Sequence, residues 1–156
     1  MSNVLVMFQA DSEQTEQLAL AVAVGAVEAE ASIRLRRLAA PGAVEVGHKG
    51  YGKLQGKDLL WADTVVVGLE SPTPRAEELE GLLSLLTELD PDRLEGKKAW
   101  TFGRAGLTTG RSEARIFVES ALHAAVLVVL PMAIPSTENG DDLIDRMKAA
   151  GRLSTD

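Results

Sequence analysis

The stretch Gln9-Ala10-Asp11-Ser12-Glu13-Gln14-Thr15-Glu16 is where this chain could do chemistry first. It joins an apolar run, Val4-Leu5-Val6-Met7-Phe8, to an alanine-rich helix. The free N–H groups of a helix start, with the positive end of its dipole, favour an anion there, a phosphate above all. Ser12, Gln14 and Thr15 bring hydroxyl and amide groups suited to such a ligand. No glycine lies between Gln9 and Glu16, and Asp11, Glu13 and Glu16 are all carboxylates. Ser12 also suits capping of the helix, with Thr15 or Glu16 closing the box, and that role needs no ligand.

Two later stretches carry similar chemistry. Ser71-Pro72-Thr73-Pro74 follows a strand-like run and is equally well built as a rigid turn. Gly103-Arg104-Ala105-Gly106 leads on to Gly110-Arg111. Arg104 and Arg111 can pair with a phosphate, the 2′-phosphate of NADPH included, or stand as solvated surface charges. His48 lies in a glycine-rich loop with Lys49, Tyr51 and Lys53, and a surface loop accounts for it. His123 lies among Ala and Leu at the end of a helix, where a core or helix-end histidine is the simpler reading.

Other chemistries are excluded. The chain has no cysteine and two histidines, which leaves no thiolate nucleophile, no disulfide and no multi-histidine metal centre. It contains no Gly-x-Ser-x-Gly elbow, no Walker loop and no Gly-x-Gly-x-x-Gly fingerprint. A net charge of −7 speaks against a nucleic-acid backbone as partner. The longest apolar run, Ala124 to Ile134, is broken by Pro131 and too short to span a bilayer, so no membrane role is expected. With no signal-peptide pattern at the N-terminus, a cytoplasmic location is expected.

The elements that position these stretches follow from periodicity. The 156 residues, 46% of them hydrophobic and 25% charged, suit one domain over 1–156. Val4 to Phe8 reads as a strand buried on both faces. Thr15 to Glu30 has Leu18, Val22, Gly25 and Ala29 at helical spacing. Ser32 to Leu38 alternates Ile33 and Leu35 with Arg34, Arg36 and Arg37, which predicts a strand with one wet face at the sheet edge. Ala40 to Gly56 reads as loop, and Lys57 to Ala62 as a short helix. Thr64 to Gly68 and Lys98 to Phe102 are strands. Between them, Arg75 to Leu89 is a helix with Leu79, Leu82, Leu83, Leu86 and Leu89 inward. Ser112 to Ala125 is a helix with Ala114, Phe117, Val118, Ala121 and Leu122 inward. Val126 to Leu130 is a strand stopped by Pro131, and Asp141 to Ala150 a last helix with Leu143, Ile144 and Met147 inward. Alternation of this kind predicts right-handed crossovers and a parallel sheet covered on both faces. In such sheets ligands bind outside the carboxyl ends of the strands where the strand order reverses. That rule selects the loops Gln9–Thr15, Leu69–Arg75 and Gly103–Arg111.

At these loops, and along roughly Val4 to Ala150, the chain resembles the flavodoxin-like superfamily. It is most similar in feel to the tryptophan-repressor-binding-protein-type quinone oxidoreductases and the NAD(P)H-dependent FMN reductases. The pieces that carry the resemblance are Val4-Leu5-Val6-Met7-Phe8 with Thr15-Glu16, Ala62-Asp63-Thr64-Val65-Val66-Val67-Gly68 with Ser71-Pro72-Thr73, Gly96-Lys97-Lys98-Ala99-Trp100-Thr101-Phe102-Gly103, and Ala121-Leu122-His123. The resemblance implies an α/β three-layer sandwich around a five-stranded parallel sheet of order 2-1-3-4-5. It implies noncovalent FMN, with Asp11, Ser12, Gln14 and Thr15 at the phosphate. Ser71, Pro72 and Thr73 would lie at the ring, and Gly103, Arg104, Ala105 and Gly106 on its other side. It further implies NAD(P)H as co-substrate, a quinone-type or flavin acceptor, no catalytic side chain, no metal, and a homo-oligomer. The departures are Ala10, which lacks a hydroxyl, Glu13, where the family has glycine with its freer backbone, a short third loop, and an aromatic content of 4%. Trp61 reads as part of a buried helix and Trp100 as part of a strand, which leaves Tyr51 as the one mobile aromatic. A reductase that holds FMN and a flavodoxin-like domain that has lost it, serving as a non-enzymatic binding module, both stay open.

Overall fold

The computed structural model describes residues 2–9, 13–38, 50–69, 77–103, 113–125, 127–129 and 140–155. Among these the order is β1 (Asn3–Phe8), α1 (Glu13–Glu28), β2 (Ser32–Arg37), β3 (Gly52–Lys53), α2 (Gly56–Trp61), β4 (Thr64–Leu69), α3 (Glu77–Glu88), α4 (Pro91–Leu94), β5 (Lys98–Gly103), α5 (Glu113–Ala124), β6 (Val128–Val129) and α6 (Gly140–Leu153). The strands form one parallel sheet in the order β3-β2-β1-β4-β5-β6. This is the expected order with one strand added. β3 consists of two residues, too few for an alternating pattern to register, and it pairs outside Arg36 and Arg37. The edge position expected for β2 therefore holds only up to Leu35.

Alternation along β1 divides the molecule into layers. Val4, Val6 and Phe8 join Leu18, Val22 and Ala26 of α1, Met147 and Ala150 of α6, and Trp100 and Phe102 of β5. Leu5 and Met7 face the other way, toward Leu59 of α2, Leu79, Leu82 and Leu86 of α3, Leu94 of α4, and Val118 and Leu122 of α5. Both faces of the central strands are covered, which is why their sequences are continuous apolar runs. On α3, Leu85 packs against the core where Leu83 was expected, and Leu83 is half-buried. On α6, Met147 is buried and Ile144 packs beside it, while the side chain of Leu143 lies outside the described residues, as does that of Ala114.

On helix α5, Val118 and Leu122 are buried and Ala121 packs beside them as expected, but Phe117 faces outward. Phe117 is 40% exposed and Ile116 48%, whereas Arg115 is buried. The buried face runs Arg115, Val118, Leu122, a spacing of three and four residues that a charged first member conceals in the sequence.

Arg34 and Arg36 of β2 are half-buried and paired rather than fully solvated. Arg34 Nη1 and Arg36 Nε donate to the two carboxylate oxygens of Asp58 at 3.1 and 3.2 Å. Asp58, in the first turn of α2, is fully buried and also accepts from the backbone N–H of Gln55 at 3.0 Å. Arg34 lies 4.3 Å over the ring of half-buried Trp61. Glycine lets another contact close. A Cβ on Gly68 would stand 2.4 Å from the tip of the Phe102 ring, so the ring reaches β4 only because that position is bare.

The far end of α6 is tied to the sheet. Trp100 Nε1 donates to Ser154 Oγ at 2.7 Å, Ser154 Oγ donates to Ala150 O at 2.9 Å, and Thr64 Oγ1 donates to Ser154 O at 2.9 Å.

Helix α1 ends in a Schellman motif. The N–H of Ala31 donates to Ala26 O at 3.0 Å and that of Glu30 to Val27 O at 2.9 Å. Glu30 has φ of +67° and is the one non-glycine residue with positive φ among those described. Glu30→Gly is expected to stabilise the fold by about 0.5–1 kcal/mol, because glycine takes this conformation without the Cβ penalty. A urea unfolding curve checks it, and a lower midpoint in the variant refutes it.

Candidate functional site

The sheet order reverses between β1 and β4, and the carboxyl ends of three neighbouring strands are level there. Phe8 pairs with Gly68, Gly68 with Phe102, and Leu69 with Gly103. The N–H of Gln9 donates to Gly68 O at 3.0 Å, which carries the alignment one residue past β1. The three loops selected from the sequence leave from these adjacent ends, the usual ligand position in an open parallel sheet. Of the predicted site residues, Gln14 and Thr15 stand in the first turn of α1 and Gly103 ends β5. Thr15 is fully buried and Gln14 exposed. Asp11, Ser12, Ser71, Pro72, Thr73, Arg104, Ala105 and Gly106 lie outside the described residues, as do Ala10, His48 and Arg111. His123 is exposed in the last turn of α5, a helix-end histidine.

Glu13 is the first residue of α1 and has ordinary negative φ, so this position makes no demand for glycine. The backbone objection raised by the sequence falls away, and the charge remains. Glu13 is exposed, free to turn its carboxylate to solvent, and α1 brings the positive end of a sixteen-residue helix dipole to this point. That dipole suits an anion such as the phosphate of FMN.

The ring end is different. All the aromatic residues of the chain, three Phe, two Trp and one Tyr, fall within the described segments. Phe8, Trp100 and Phe102 are fully buried in the core. Trp61 carries Arg34, and Phe117 is out on α5. Loops 70–76 and 104–112 contain no aromatic residue. Neither loop can supply an aromatic side chain to stack on a flavin.

Tyr51 is not the mobile aromatic expected. Its ring stands edge-on to Phe8, centroids 5.1 Å apart at 84°. Its hydroxyl donates to Glu16, and burial, together with that bond and the Glu16 charge, pushes the phenol above its ordinary pKa. By register Arg37 and Lys53 share this face of the sheet with Phe8.

Sequence reasoning also missed Arg115. Its Nε donates to Thr101 Oγ1 at 3.1 Å and its Nη2 to Thr101 O at 2.9 Å, while Thr101 Oγ1 donates to Glu119 at 2.6 Å. The guanidinium stem fills the space beside Gly103, where a Cβ would stand 3.1 Å from Arg115 Cδ. A buried cation thus holds the end of β5 where the third loop begins.

Among the described residues no group of His, Cys, Asp and Glu could hold a metal ion, and no helix is long and apolar enough to cross a membrane. A cleft of about 430 Å³ lies at the opposite, amino edge of the sheet, between Ser2, Asp63, Arg93, Glu95 and Lys97. Two of its charged groups are engaged. Asp63 accepts from Asn3 N at 2.9 Å, and Lys97 Nζ donates to Leu60 O at 3.1 Å and to Ala62 O.

No protein-family profile and no curated protein matches the chain in sequence. Solved structures match its shape throughout. A flavodoxin from the domain Archaea aligns with a TM-score of 0.69 at 15% identity, over 98% of this chain and 96% of that one. A short-chain flavodoxin associated with a non-canonical PDU bacterial microcompartment gives 0.70 at 16%, over 99% of both chains. Oxidised flavodoxin 2 from Bacillus cereus gives 0.66 at 17%, over 99% and 97%. By fold, this chain is a flavodoxin-like α/β protein.

Proposed function

We propose that the chain binds FMN and works as an NAD(P)H-dependent quinone or flavin reductase. The observation that carries this reading is the level arrangement of the three strand ends from which the candidate ligand loops leave, at the reversal of strand order, in a fold shared with flavodoxins. In the proposed site the backbone at the start of α1, with Asp11, Ser12, Gln14 and Thr15, holds the phosphate. Ser71, Pro72 and Thr73 border the ring on one side, and Gly103, Arg104, Ala105 and Gly106 on the other. Bound flavin supplies the redox chemistry, and the protein supplies binding and orientation. An exposed apolar stripe on α1, Leu20, Val24 and Val27, supports a homo-oligomer. The absorbance of the purified protein near the flavin bands, with FMN fluorescence quenching, tests the reading. Colourless protein that neither quenches FMN nor melts higher in its presence overturns it.

A second reading is a flavodoxin-like domain that has lost FMN and serves as a binding module. It is favoured by the lack of aromatic residues in the ring loops and by the Glu13 charge. Glu13→Gln separates the two, since it removes charge and keeps helix propensity. On the reductase reading wild type binds FMN, and the variant binds it about 2- to 5-fold tighter, the scale of one charge at a helix end. If wild type ignores FMN and Glu13→Gln restores binding, the lost-site reading stands.

A further inference from the structure

We propose that Tyr51 positions the first turn of α1 by stapling it to the end of β1, the two segments that flank the first ligand loop. This rests on the flavin reading above. The loop leaves β1 after Phe8 and Gln9 and enters α1 at Glu13. Tyr51 touches both sides of it, through its ring edge against Phe8 and its hydroxyl on Glu16 in the first turn of α1. It belongs to neither segment. It comes from the residues just before β3, a third point of attachment.

That third point is itself fixed. Gly52 and Lys53 pair with Arg36 and Arg37, the N–H of Leu54 donates to Arg37 O at 3.0 Å, and Leu54 is buried. Tyr51 therefore reaches the loop from a seated strand. Helix side chains lean toward the N-terminus, so the Glu16 carboxylate lies over the first turn, and holding it holds that turn.

A phosphate bound by backbone N–H groups needs those groups held to within about half an ångström. A ring bordered by the other two loops does not depend on them. Tyr51 is thus a positioning residue for the phosphate end, acting through Phe8 and Glu16.

Tyr51→Phe keeps the ring contact and removes the hydroxyl. Two measurements test it. In the ligand-free protein, amide hydrogen exchange at Gln17 and Leu18, whose N–H groups bond back to the first turn, is expected to quicken about 10-fold, the scale of one hydrogen bond to a charged group. Val65 to Val67 in β4 should not change. In flavin titrations followed by fluorescence quenching, the variant should bind FMN about 10-fold more weakly, with riboflavin, which lacks the phosphate, unaffected. Glu16→Gln, which keeps an acceptor for the Tyr51 hydroxyl but makes the bond neutral, should quicken the exchange less than Tyr51→Phe does. Equal weakening of both flavins overturns the positioning role. Unchanged exchange at Gln17 and Leu18 overturns the staple itself. If wild type binds neither flavin, the flavin reading falls, and the exchange measurement decides the staple alone.

Discussion

Gly25→Ala is expected to destabilise the protein by about 3 kcal/mol, at the upper end for overpacking, even though alanine gains about 1 kcal/mol over glycine inside a helix. A Cβ at Gly25 would lie 1.9 Å from the backbone oxygen of Lys148, and one at Gly151 would lie 2.1 Å from the backbone oxygen of Val22. Helices α1 and α6 thus cross backbone to backbone, with a glycine on each side of the contact. No rotamer change relieves a clash with a carbonyl, so α6 would have to move. It is not free to do so, because Ser154 at its end is bonded to Trp100 and Thr64. Urea unfolding checks this, and with a typical slope of about 1–3 kcal/mol per molar the midpoint should fall by at least about 1 M. A variant as stable as wild type would show that the helices do not cross at this point. The double variant with Gly151→Ala should cost less than the sum of the two, since one displacement of α6 relieves both clashes. The consequence reaches the candidate site, because α1 carries the first ligand loop at its other end.

Asp58→Ala carries the second large effect, a loss of about 2–4 kcal/mol. Removing one partner from a buried pair costs about 3–5 kcal/mol when the other charge stays buried. Here Arg34 and Arg36 keep 32% and 28% of their side chains in solvent, so they rehydrate in part and the cost is discounted. The variant also loses the acceptor for the Gln55 N–H at the start of α2. Asp58→Asn keeps the volume and one acceptor oxygen but turns an amide N–H₂ toward a guanidinium, so an intermediate loss is expected. Thermal melts of the three proteins should rank wild type, Asn, Ala. If Asp58→Ala melts with wild type, the arginines are held by something other than Asp58.

These two sites show where local pattern stops being informative. The arginines of β2 alternate with apolar residues as they would on an edge strand facing water. Nothing near them in sequence announces a buried carboxylate twenty-two residues on. The same holds for Arg115, whose charge masks its place on the buried face of α5, where Phe117 is expected instead. β3 was invisible because two residues carry no period.

The Gln9–Glu16 stretch was legible in part. Its place at the start of a helix, at the carboxyl end of a central strand, followed from the apolar run before it and the alanine-rich repeat after it. Glu13 looked like a misfit in backbone and in charge. The structure removes the first objection, since Glu13 already lies in the helix, and leaves the second. Tyr51 looked free because glycines surround it, and the fold seats it against Phe8 and Glu16.

The sequence by itself determined the layers, the parallel sheet, and the edge from which the candidate loops leave, because burial on one or both faces writes a period into neighbouring residues. Only the tertiary structure decided that Gly25 meets Lys148, that Asp58 gathers two arginines, and that Tyr51 bridges the ends of the first loop. Each of those contacts joins residues far apart in the chain, and the energy that selects them comes from packing and charge compensation across elements, which leaves no periodic trace.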